Sequence, residues 1–486
     1  MIKLKYYITT PLYYVNAKAH IGHAYTNIAA DVLARWHRLK GDDVFFLTGT
    51  DEHGKKVETA AKKAKKKPKD FADSIAKDFK KVWKVLNISN DYFIRTTSEQ
   101  HKKAVYEMVR RMKERGDIYK GVYEDWYCVP CESYWTKTQL KDEKCPTCGR
   151  EVEKLKEESY FFKLSKYQKP LMELYEKNKG FISPEYRRQE IINRVKEGLK
   201  DLSITRTSFD WGIKYPDDSK HILYVWIDAL TNYISALDFP DGSKYKKFWP
   251  ADVHIMAKEI LWFHSVIWPA MLLSAGVKPP KKVFAHGWLT VDGEKMSKSV
   301  GNVIDPIDMS KKYSTDALRY FLLREIAFGH DGDFSEESLR GKINNELVAD
   351  LGNLLNRTLT LVDKYKGKIE GKPKLEKELK IKKIEKYIDI FEFHHALDEI
   401  WNFIRATNRY INETEPWKLE GKELSSVLYN LLESLRIVSI LISPFMPETS
   451  EKINKQLGIK PGKLKDCEFG KFAGKPKKGE LLFKKL

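Results

Sequence analysis

The chain has 486 residues, of which 42% are hydrophobic, and this length suits roughly three domains with sizeable cores. No apolar run approaches the roughly 18 residues of a membrane span, and the first residues form a short alternating strand rather than a signal peptide. These features exclude membrane-spanning and secreted classes and predict a soluble cytoplasmic protein. The net charge of +19, from 87 basic and 68 acidic residues, favours a polyanionic partner, although solvated lysine-rich faces give the same composition.

The first segment of the chain is predicted to alternate strand, helix and strand. Residues 6–9 form an apolar strand, residues 21–39 carry apolar side chains at helical spacing, and residues 44–47 form a buried strand followed by a polar loop. Two more helices are expected near residues 68–86 and 98–115. Polar residues at the strand ends make this pattern typical of a nucleotide-binding half of an open α/β sheet.

Two histidines stand at the start of the first predicted helix. His20 and His23 combine imidazole donors with the free amides of a helix N-terminus, a pairing that can hold the phosphates of ATP. Gly22 between them leaves room for the adenine ring to approach the backbone. A pair of histidines that only cap the helix is the alternative interpretation.

The pattern changes near residue 117. Residues 117–221 are rich in aromatic residues and short strands, and they contain four of the five cysteines. These four are spaced C-x₂-C, thirteen residues, then C-x₂-C, as Cys128, Cys131, Cys145 and Cys148. Two such pairs are typical of one tetrahedral zinc ion bound by four thiolates. Because the four thiolates leave no open coordination position, the zinc would be structural. A redox-active cysteine pair is the alternative interpretation.

The α/β pattern resumes after this module. Residues 222–227 and 283–286 are predicted strands, and residues 260–275 are a predicted helix. The open sheet is therefore expected to be split by the inserted module.

A loop with small and cationic residues follows the last of these strands. It contains Lys295, Ser297 and Lys298, and such a loop is either a solvated turn or a mobile clamp for a transferring phosphate. The presence of the histidine pair in the same chain favours the clamp.

From about residue 341 onward the predicted elements are helical. Helices are expected over residues 344–365, 381–412 and 423–441, with a shorter one after Pro447. An α-helical bundle follows from this pattern.

Taken together, these motifs resemble the class I aminoacyl-tRNA synthetases, and among them the methionyl-tRNA synthetase family. The resemblance extends over nearly the whole chain and includes the segments TTPLYYVN (9–16), FLTGTDEHG (46–54), YVWIDA (224–229), Phe263-His264 and EPW (415–417). It implies a Rossmann-type parallel-sheet catalytic domain that is split by a zinc-binding insertion and followed by an all-α helical bundle. The implied catalytic domain has a first half over residues 1–116 and a second half over residues 222–290, with the insertion over residues 117–221 between them. A lysine-loop and stem-contact region follows over residues 291–340, and an anticodon-binding domain over residues 341–486.

The implied activity is the activation of methionine by ATP and its transfer to initiator and elongator tRNA(Met), with Mg²⁺ accompanying ATP and one structural Zn²⁺. A monomer is expected, because the chain ends without the extra C-terminal tRNA-binding domain that makes some relatives dimers. ATP would be bound by His20, Gly22, His23, Lys295, Ser297 and Lys298. Methionine would be bound by Leu12, Tyr14, Asp51, Trp226, Ala229, Leu230, Tyr233, Ile260 and His264.

Individual roles also follow from the resemblance. Asp51 would accept the ammonium group of methionine, and Tyr14, Trp226 and His264 would close around the thioether. Arg206 would support adenylate formation beside the catalytic histidines and lysines. Anticodon reading would be performed by Asn353, Arg357 and Trp417.

Two other functions fit parts of the sequence. A nucleotidylyltransferase that makes a small adenylate derivative has a similar histidine signature, but it does not account for the cysteine module or the helical third. A non-catalytic RNA-binding protein derived from a synthetase is disfavoured by the intact histidines and lysines.

Overall fold

A computed structural model describes residues 4–131, 133–135, 137–296 and 301–486. The first segment forms, in order, β1 (Lys5–Tyr14), α1 (Ile21–Lys40), β2 (Asp43–Asp51), α2 (Lys55–Lys63), α3 (Pro68–Val85), β3 (Tyr92–Arg95) and α4 (Glu99–Glu114). The apolar face predicted for residues 21–39 is buried in α1, and Gly41 ends this helix in the left-handed conformation, with a φ of 100°.

The next segment is built from short strands and two helices. Its elements are β4 (Ile118–Cys128), β5 (Ser133–Trp135), β6 (Glu153–Phe162), α5 (Gln168–Lys177), β7 (Ile182–Ser183), α6 (Glu185–Lys196), β8 (Leu202–Ser203), β9 (Thr205–Arg206), β10 (Lys214–Tyr215) and β11 (Asp218–Leu223). Strands β5, β4, β6 and β8 make an antiparallel sheet in that order, and this sheet carries the first cysteine pair at its end.

The α/β pattern then returns, with three differences from the prediction. The elements are α7 (Val225–Leu230), α8 (Asn232–Ser235), α9 (Ser243–Phe248), β12 (Val253–Ala257), α10 (Trp268–Ser274) and β13 (Val283–His286). Strand β11, which holds the start of the predicted strand 222–227, pairs antiparallel with β9 and β10, strand β12 was not predicted, and the predicted strand 222–227 ends early. The apolar residues 225–227, expected to continue a strand, begin α7 instead, because a short apolar run does not distinguish a strand from a buried helix.

The last third contains a small sheet and then the helical bundle. Its elements are β14 (Leu289–Val291), β15 (Glu294–Lys295), α11 (Pro306–Tyr313), α12 (Thr315–Arg324), β16 (Gly332–Phe334), α13 (Glu336–Lys342), α14 (Asn353–Lys364), α15 (Ile381–Asp389), α16 (Phe393–Thr414), α17 (Gly421–Ile442) and α18 (Pro447–Leu457). The helix predicted over residues 381–412 is divided into α15 and α16 at Phe391, which has a φ of 66°.

The central sheet has six parallel strands in the order β3-β2-β1-β12-β13-β7. Alternate residues of each strand point to opposite faces, so that Ile8 and Phe46 join one core while Tyr7 and Phe45 join the other. The first core is continuous through α1 into the helical bundle. The predicted parallel-sheet fold with a following all-α bundle is confirmed.

Strand β7 belongs to this central sheet although it lies inside the predicted insertion 117–221. Ile182 and Ser183 pair in parallel with Val283 and Phe284 of β13. A two-residue edge strand leaves no periodic signal in a sequence, because its position is set by pairing with a distant segment. The insertion therefore contributes one strand to the sheet that it divides.

Strand β1 runs further than the predicted strand over residues 6–9. Its pairing with β2 shifts register between Thr9 and Leu12, where Pro11 has no amide proton to donate, and then resumes as far as Tyr14. The irregularity carries Leu12 and Tyr14 to the carboxyl edge of the sheet.

Among the described residues, α17 is the one helix with the length and composition of a membrane span. Its apolar window is 89% buried within the protein, which identifies α17 as a core helix of the bundle.

Candidate active site

A cleft of about 650 Å³ lies at the carboxyl ends of β1, β2, β12 and β13, where ligands bind in open parallel sheets. All nine residues predicted to bind methionine line this cleft, as do three of the residues predicted to bind ATP. The first group is Leu12, Tyr14, Asp51, Trp226, Ala229, Leu230, Tyr233, Ile260 and His264, and the second is His20, Gly22 and His23.

The two histidines cap α1 reciprocally. Nδ1 of His20 accepts a hydrogen bond from the Gly22 amide at 3.1 Å, and Nδ1 of His23 accepts one from the His20 amide at 3.2 Å. The rings stack with their centroids 3.7 Å apart. Because both Nδ1 atoms accept, each neutral ring carries its proton on Nε2 and presents a donor. Burial lowers the pKa of His23 well below the usual value, which keeps this ring neutral. The capping role and the predicted phosphate role are therefore compatible.

The far end of the cleft is formed by aromatic side chains on α7, α8 and the helical turn before α10. The Tyr233 hydroxyl lies 2.7 Å from Nε2 of His264, and Trp226 stacks on Phe263 with centroids 3.8 Å apart. The predicted helix over 260–275 is not regular here, since residues 263–267 form a π-helical turn that places His264 in the cleft wall. This end of the cleft is largely apolar, and the Tyr233 hydroxyl and the His264 ring are paired with each other.

The loop after β2 is held in place by Asp228 of α7. The Asp228 carboxylate accepts hydrogen bonds from Nδ1 of His53 at 2.6 Å and from Nε2 of His101 at 2.7 Å. Burial alone would raise the pKa of Asp228, but the two histidines lower it to about 2. Asp51, which is 6% exposed at the end of β2, is two residues from His53 and so depends on this cluster for its position. Sequence analysis included Asp228 in the motif YVWIDA (224–229) without giving it a role, and it did not identify His101 as part of the site.

A third wall of the cleft includes residues that the sequence analysis did not select. His286 ends β13, and its Nε2 lies 2.7 Å from the Thr26 hydroxyl while its Nδ1 donates to the Gly287 carbonyl. Burial lowers the pKa of His286 to about 4. Its place at the carboxyl end of a parallel strand is the signal that could have identified it.

Glu259 lies just after β12, in the segment Ala257-Lys258-Glu259. Its Oε2 accepts a hydrogen bond from the Trp288 indole at 2.7 Å, and both residues line the cleft. Lys258 lies over the Trp288 ring, with Nζ 4.1 Å from the centroid, and is paired with Asp331 at 2.6 Å. The Glu259 carboxylate thus holds the indole in the cleft wall.

The two ends of the lysine loop are close to the histidine pair. Met296 and Val303 both line the cleft, and the Ile21 amide donates to the Ile304 carbonyl at 3.0 Å. The main chain of Lys295 pairs with Thr290 in a β14–β15 hairpin. Ser297 and Lys298 lie outside the described residues, so their predicted phosphate contacts stay predictions.

Arg206 is not among the described residues that line the cleft. It is 1% exposed on β9, where Nη1 donates to the Ser203 hydroxyl at 2.8 Å and to the Thr205 carbonyl at 2.5 Å. The guanidinium also lies 4.4 Å from the centroid of the Tyr224 ring. Its predicted role in adenylate formation stays a prediction.

The four predicted zinc ligands converge. The Sγ atoms of Cys128, Cys131, Cys145 and Cys148 all lie within 4.8 Å of one another, with separations of 3.5 Å for Cys128–Cys148 and 3.8 Å for Cys131–Cys145. Tetrahedral zinc with bonds of about 2.3 Å requires sulfur atoms about 3.8 Å apart, so the cluster fits this ion. Cys131 and Cys148 also line the cleft, which places the metal module at its edge.

The predicted anticodon residues form a surface patch on the bundle. Asn353 is exposed at the start of α14, and the Arg357 guanidinium lies 6.0 Å from the centroid of the Trp417 ring while donating to Asn412 at 2.9 Å. Trp417 is 56% exposed, which is unusual for an indole. We call Asn353, Arg357, Asn412 and Trp417 the indole patch.

Comparison with protein families finds two matching models. One, described as tRNA synthetases class I (M), matches residues 6–154 and 135–359, and the other, the anticodon-binding domain of tRNA ligase, matches residues 376–478.

Whole-chain comparisons agree with these models. A methionine–tRNA ligase of Caldanaerobacter subterraneus is 51% identical over 100% of this chain and 79% of its own length, and one of Thermotoga maritima is 49% identical over 99% and 80%. Among solved structures, Mycobacterium tuberculosis methionyl-tRNA synthetase in complex with methionyl-adenylate has a TM-score of 0.94 and 40% identity, covering 99% of both chains. Its apo form has a TM-score of 0.88 and 37% identity, covering 100% of this chain and 98% of that one.

Proposed function

This chain belongs to the methionyl-tRNA synthetase family of class I, and we propose that its cleft activates methionine with ATP while its helical bundle holds the tRNA(Met) that receives the methionyl group. The observation that carries the proposal is the arrangement of one cleft. Nine side chains suited to methionine form one end of it, and two helix-capping histidines form another part.

The ATP phosphates would lie at the start of α1. The helix N-terminus has a partial positive charge, and the Nε2–H groups of His20 and His23 are directional donors for phosphate oxygens. A neutral His23 suits this role, because it can donate without releasing a proton during phosphoryl transfer. Mg²⁺ would enter with ATP as part of the substrate.

Methionine would bind with its ammonium group near Asp51 and its thioether among the aromatic rings. The polar groups of Tyr233 and His264 are used within the pocket wall, since Tyr233 donates to His264 and His264 donates to the Ile260 carbonyl at 2.9 Å. A pocket wall of uncharged aromatic rings favours an uncharged side chain over a charged one. A hydrophobic pocket distinguishes one methylene by only about 1–3 kcal/mol, so leucine and norleucine are the demanding competitors.

The chemistry needs no nucleophile from the protein. A carboxylate oxygen of methionine attacks the α-phosphorus of ATP, and the bond from that phosphorus to the α,β-bridging oxygen breaks to release pyrophosphate. The terminal ribose hydroxyl of tRNA then attacks the carbonyl of methionyl-adenylate, and AMP leaves. Positioning and charge stabilisation account for such a reaction, with Lys295, Ser297 and Lys298 neutralising the phosphates and Arg206 supporting the adenylate.

The zinc ion would have a structural role and not a catalytic one. A metal closed by four thiolates supplies no open coordination position, so its contribution is to hold the two cysteine pairs together. Cys131 and Cys148 would thereby keep the insertion against the edge of the cleft.

The tRNA would contact the indole patch with its anticodon. An exposed indole and a neighbouring guanidinium offer stacking surfaces for unpaired bases, which is how proteins usually hold single-stranded RNA. The net charge of +19 favours the phosphate backbone of the same partner. Both initiator and elongator tRNA(Met) are included in the proposal, since they share an anticodon, and a cytoplasmic location follows from these substrates. The monomeric state stays a prediction.

The test is ATP–pyrophosphate exchange by the purified chain with each of the twenty amino acids in turn. Exchange with methionine alone supports the proposal. Exchange with a different amino acid overturns the pocket assignment, and no exchange with any, together with retained tRNA binding, favours the non-catalytic RNA-binding alternative.

A further inference from the structure

Arg319 on α12 is fully buried, and its guanidinium joins three separate parts of the chain. Nη2 donates to Oδ2 of Asp31 at 2.7 Å and to the Pro444 carbonyl at 2.8 Å. Nε donates to the Phe445 carbonyl at 2.9 Å, and Nη1 donates to the Leu86 carbonyl at 3.1 Å. We call this set of contacts the Arg319 joint.

On the catalytic side, the joint ends on the helix that carries the histidine pair. Asp31 is fully buried in α1, and its Oδ1 accepts hydrogen bonds from the Ser89 amide at 2.7 Å and the Ser89 hydroxyl at 2.5 Å. Burial raises the pKa of Asp31, but Arg319 and Arg35 outweigh burial and keep the pKa below its usual value. Because α1 is one continuous helix from Ile21 to Lys40, the joint is rigidly connected to His20 and His23.

On the other side, the joint ends in the helical bundle. Pro444 and Phe445 form the bend between α17 and α18, and their carbonyl oxygens both accept hydrogen bonds from the same guanidinium. The indole patch lies in the same bundle, with Trp417 immediately before α17. The side chain of Arg319 therefore spans the boundary between the ATP end of the cleft and the proposed anticodon-binding domain.

We propose that Arg319 is a positioning residue for tRNA charging, which fixes the angle between the catalytic sheet and the bundle. This inference rests on the proposed function. One tRNA must place its anticodon on the indole patch and its 3′ end in the cleft at the same time, so the two sites must keep a fixed separation. Directional hydrogen bonds from one buried guanidinium to three segments resist rotation, whereas apolar packing alone allows sliding.

A second possible contribution of Arg319 is general stability, since the loss of a buried charge partner leaves Asp31 unpaired. The chain contains a matched control for this effect. Arg436 of α17 is also buried, donates to Glu433 at 2.8 Å and to the carbonyls of Asp466 and Glu468 at 2.7 and 2.6 Å, and has all of these partners within the bundle. Its removal disturbs a buried ion pair and leaves the hydrogen bonds of Arg319 to Asp31, Leu86, Pro444 and Phe445 in place.

The experiment compares Arg319→Met and Arg436→Met in the full chain. Three quantities are measured for each: methionine-dependent pyrophosphate exchange, charging of tRNA(Met), and the ratio of charging rates for tRNA(Met) and a variant with one anticodon base changed. For Arg319→Met we expect a rate of pyrophosphate exchange within about 3-fold of that of the unaltered chain. The rate of tRNA charging should fall by about 10-fold to 100-fold, because misplacing a reacting group by about 1 Å lowers enzymatic rates by up to about 100-fold. The anticodon ratio should shrink, because the anticodon and the 3′ end are no longer held in register.

Arg436→Met should keep the ratio of charging rates for the two tRNAs that the unaltered chain has, even if its thermal stability falls by as much as that of Arg319→Met. An unchanged ratio in Arg319→Met, or an equal loss of ratio in both variants, would overturn the inference. If Arg319→Met does not fold, Arg319→Lys decides instead, because lysine keeps the charge beside Asp31 but cannot reach all three carbonyl groups. Exchange by the unaltered chain is measured first, and its absence would count against the proposed function rather than against the joint.

Discussion

The Tyr233 hydroxyl donates to Nε2 of His264 at 2.7 Å, while Nδ1 of that ring donates to the Ile260 carbonyl at 2.9 Å. These two bonds fix the tautomer of His264, because a carbonyl can only accept. Burial lowers the pKa of His264 to about 4, so the ring is neutral at physiological pH. The wall of the proposed thioether pocket thus has no charge.

Replacement of Tyr233 by phenylalanine is expected to weaken methionine binding. The change leaves Nε2 of His264 buried without its donor, which costs about 1–2 kcal/mol and corresponds to a rise in KM for methionine of roughly 10-fold. The KM for ATP should stay within about 2-fold, since the histidine pair is untouched. Pyrophosphate exchange measures both constants. Tyr106→Phe, on the exposed face of α4, is the control, and an equal effect of the two changes would exclude a role for the hydroxyl.

The buried histidines also predict how stability depends on pH. Burial lowers the pKa of both His264 and His286 from the usual 6.5 to about 4. Below pH 6.5 the unfolded chain gains protons that the folded protein does not bind, so stability is fully present above pH 6.5 and decreases as the pH falls toward 4. Each ring should cost about 2 kcal/mol of unfolding free energy by pH 5.

Denaturant unfolding at intervals between pH 7.5 and 4.5 measures this loss. His286→Gln removes one titrating ring and keeps an acceptor or donor near Thr26, so its stability should fall less steeply over the same interval. Parallel curves for the variant and the unaltered chain would show that other groups cause the acid sensitivity.

The residues that sequence analysis selected and that line the cleft were found by local rules. His20 could be placed because an apolar periodicity begins directly after it, and Asp51 because it ends a buried run. Both rules concern neighbouring residues, and the cleft indeed lies where carboxyl ends of parallel strands meet a helix N-terminus. The cysteine spacing is likewise a local pattern. Two C-x₂-C pairs are typical of the four ligands of one zinc ion, so the two pairs could be predicted to lie close together.

The parts that were missed depend on contacts between distant segments. The position of β7 is set by β13, about a hundred residues later, and the turn over residues 263–267 is π-helical although its sequence reads as an ordinary helix. Asp228 and Arg319 are single polar residues within apolar runs, so nothing in their own segments indicates which partners they meet. Non-local pairing is the information that periodicity lacks.

Replacement of Asp228 by asparagine is expected to disturb methionine recognition through the loop that carries Asp51. The carboxylate accepts from both His53 and His101, whereas an amide offers one acceptor and one donor to the same two nitrogens. The KM for methionine should rise about 10-fold or more, and the KM for ATP should change by less than about 3-fold. Steady-state pyrophosphate exchange at varied methionine and varied ATP gives the two constants.

Asp117→Asn is the matched control for this prediction. Asp117 is also fully buried and accepts from Ser274 at 2.8 Å and Lys166 at 2.6 Å, but it is not among the described residues of the cleft. A comparable loss of thermal stability without a change in methionine KM is expected. The idea fails if the two variants have the same kinetic profile.

Zinc content provides a prediction that does not depend on activity. The unaltered chain should hold one zinc ion, and Cys128→Ser should lose it, since three thiolates and a hydroxyl bind zinc far less tightly. Cys467→Ser changes a buried cysteine outside the cluster and should keep the metal. Atomic absorption of the purified proteins measures the zinc stoichiometry. Equal amounts of zinc in both variants would contradict the prediction that the four cysteines bind the ion. Thermal stability should fall with the metal, because metal binding is coupled to folding of the insertion.

Trp417→Ala tests the indole patch. Trp417 is 56% exposed, so truncation leaves no core cavity, and the expected loss is that of base stacking, about 1–3 kcal/mol or roughly 10-fold to 100-fold in tRNA charging. Methionine-dependent pyrophosphate exchange should be unchanged, because no residue of the indole patch is among the described residues that line the cleft. Trp417→Phe keeps an aromatic face and should restore most of the charging rate. Equal losses of charging and exchange in the alanine variant would instead assign Trp417 to the packing of the bundle, since a stacking surface for the anticodon cannot affect a reaction that proceeds without tRNA.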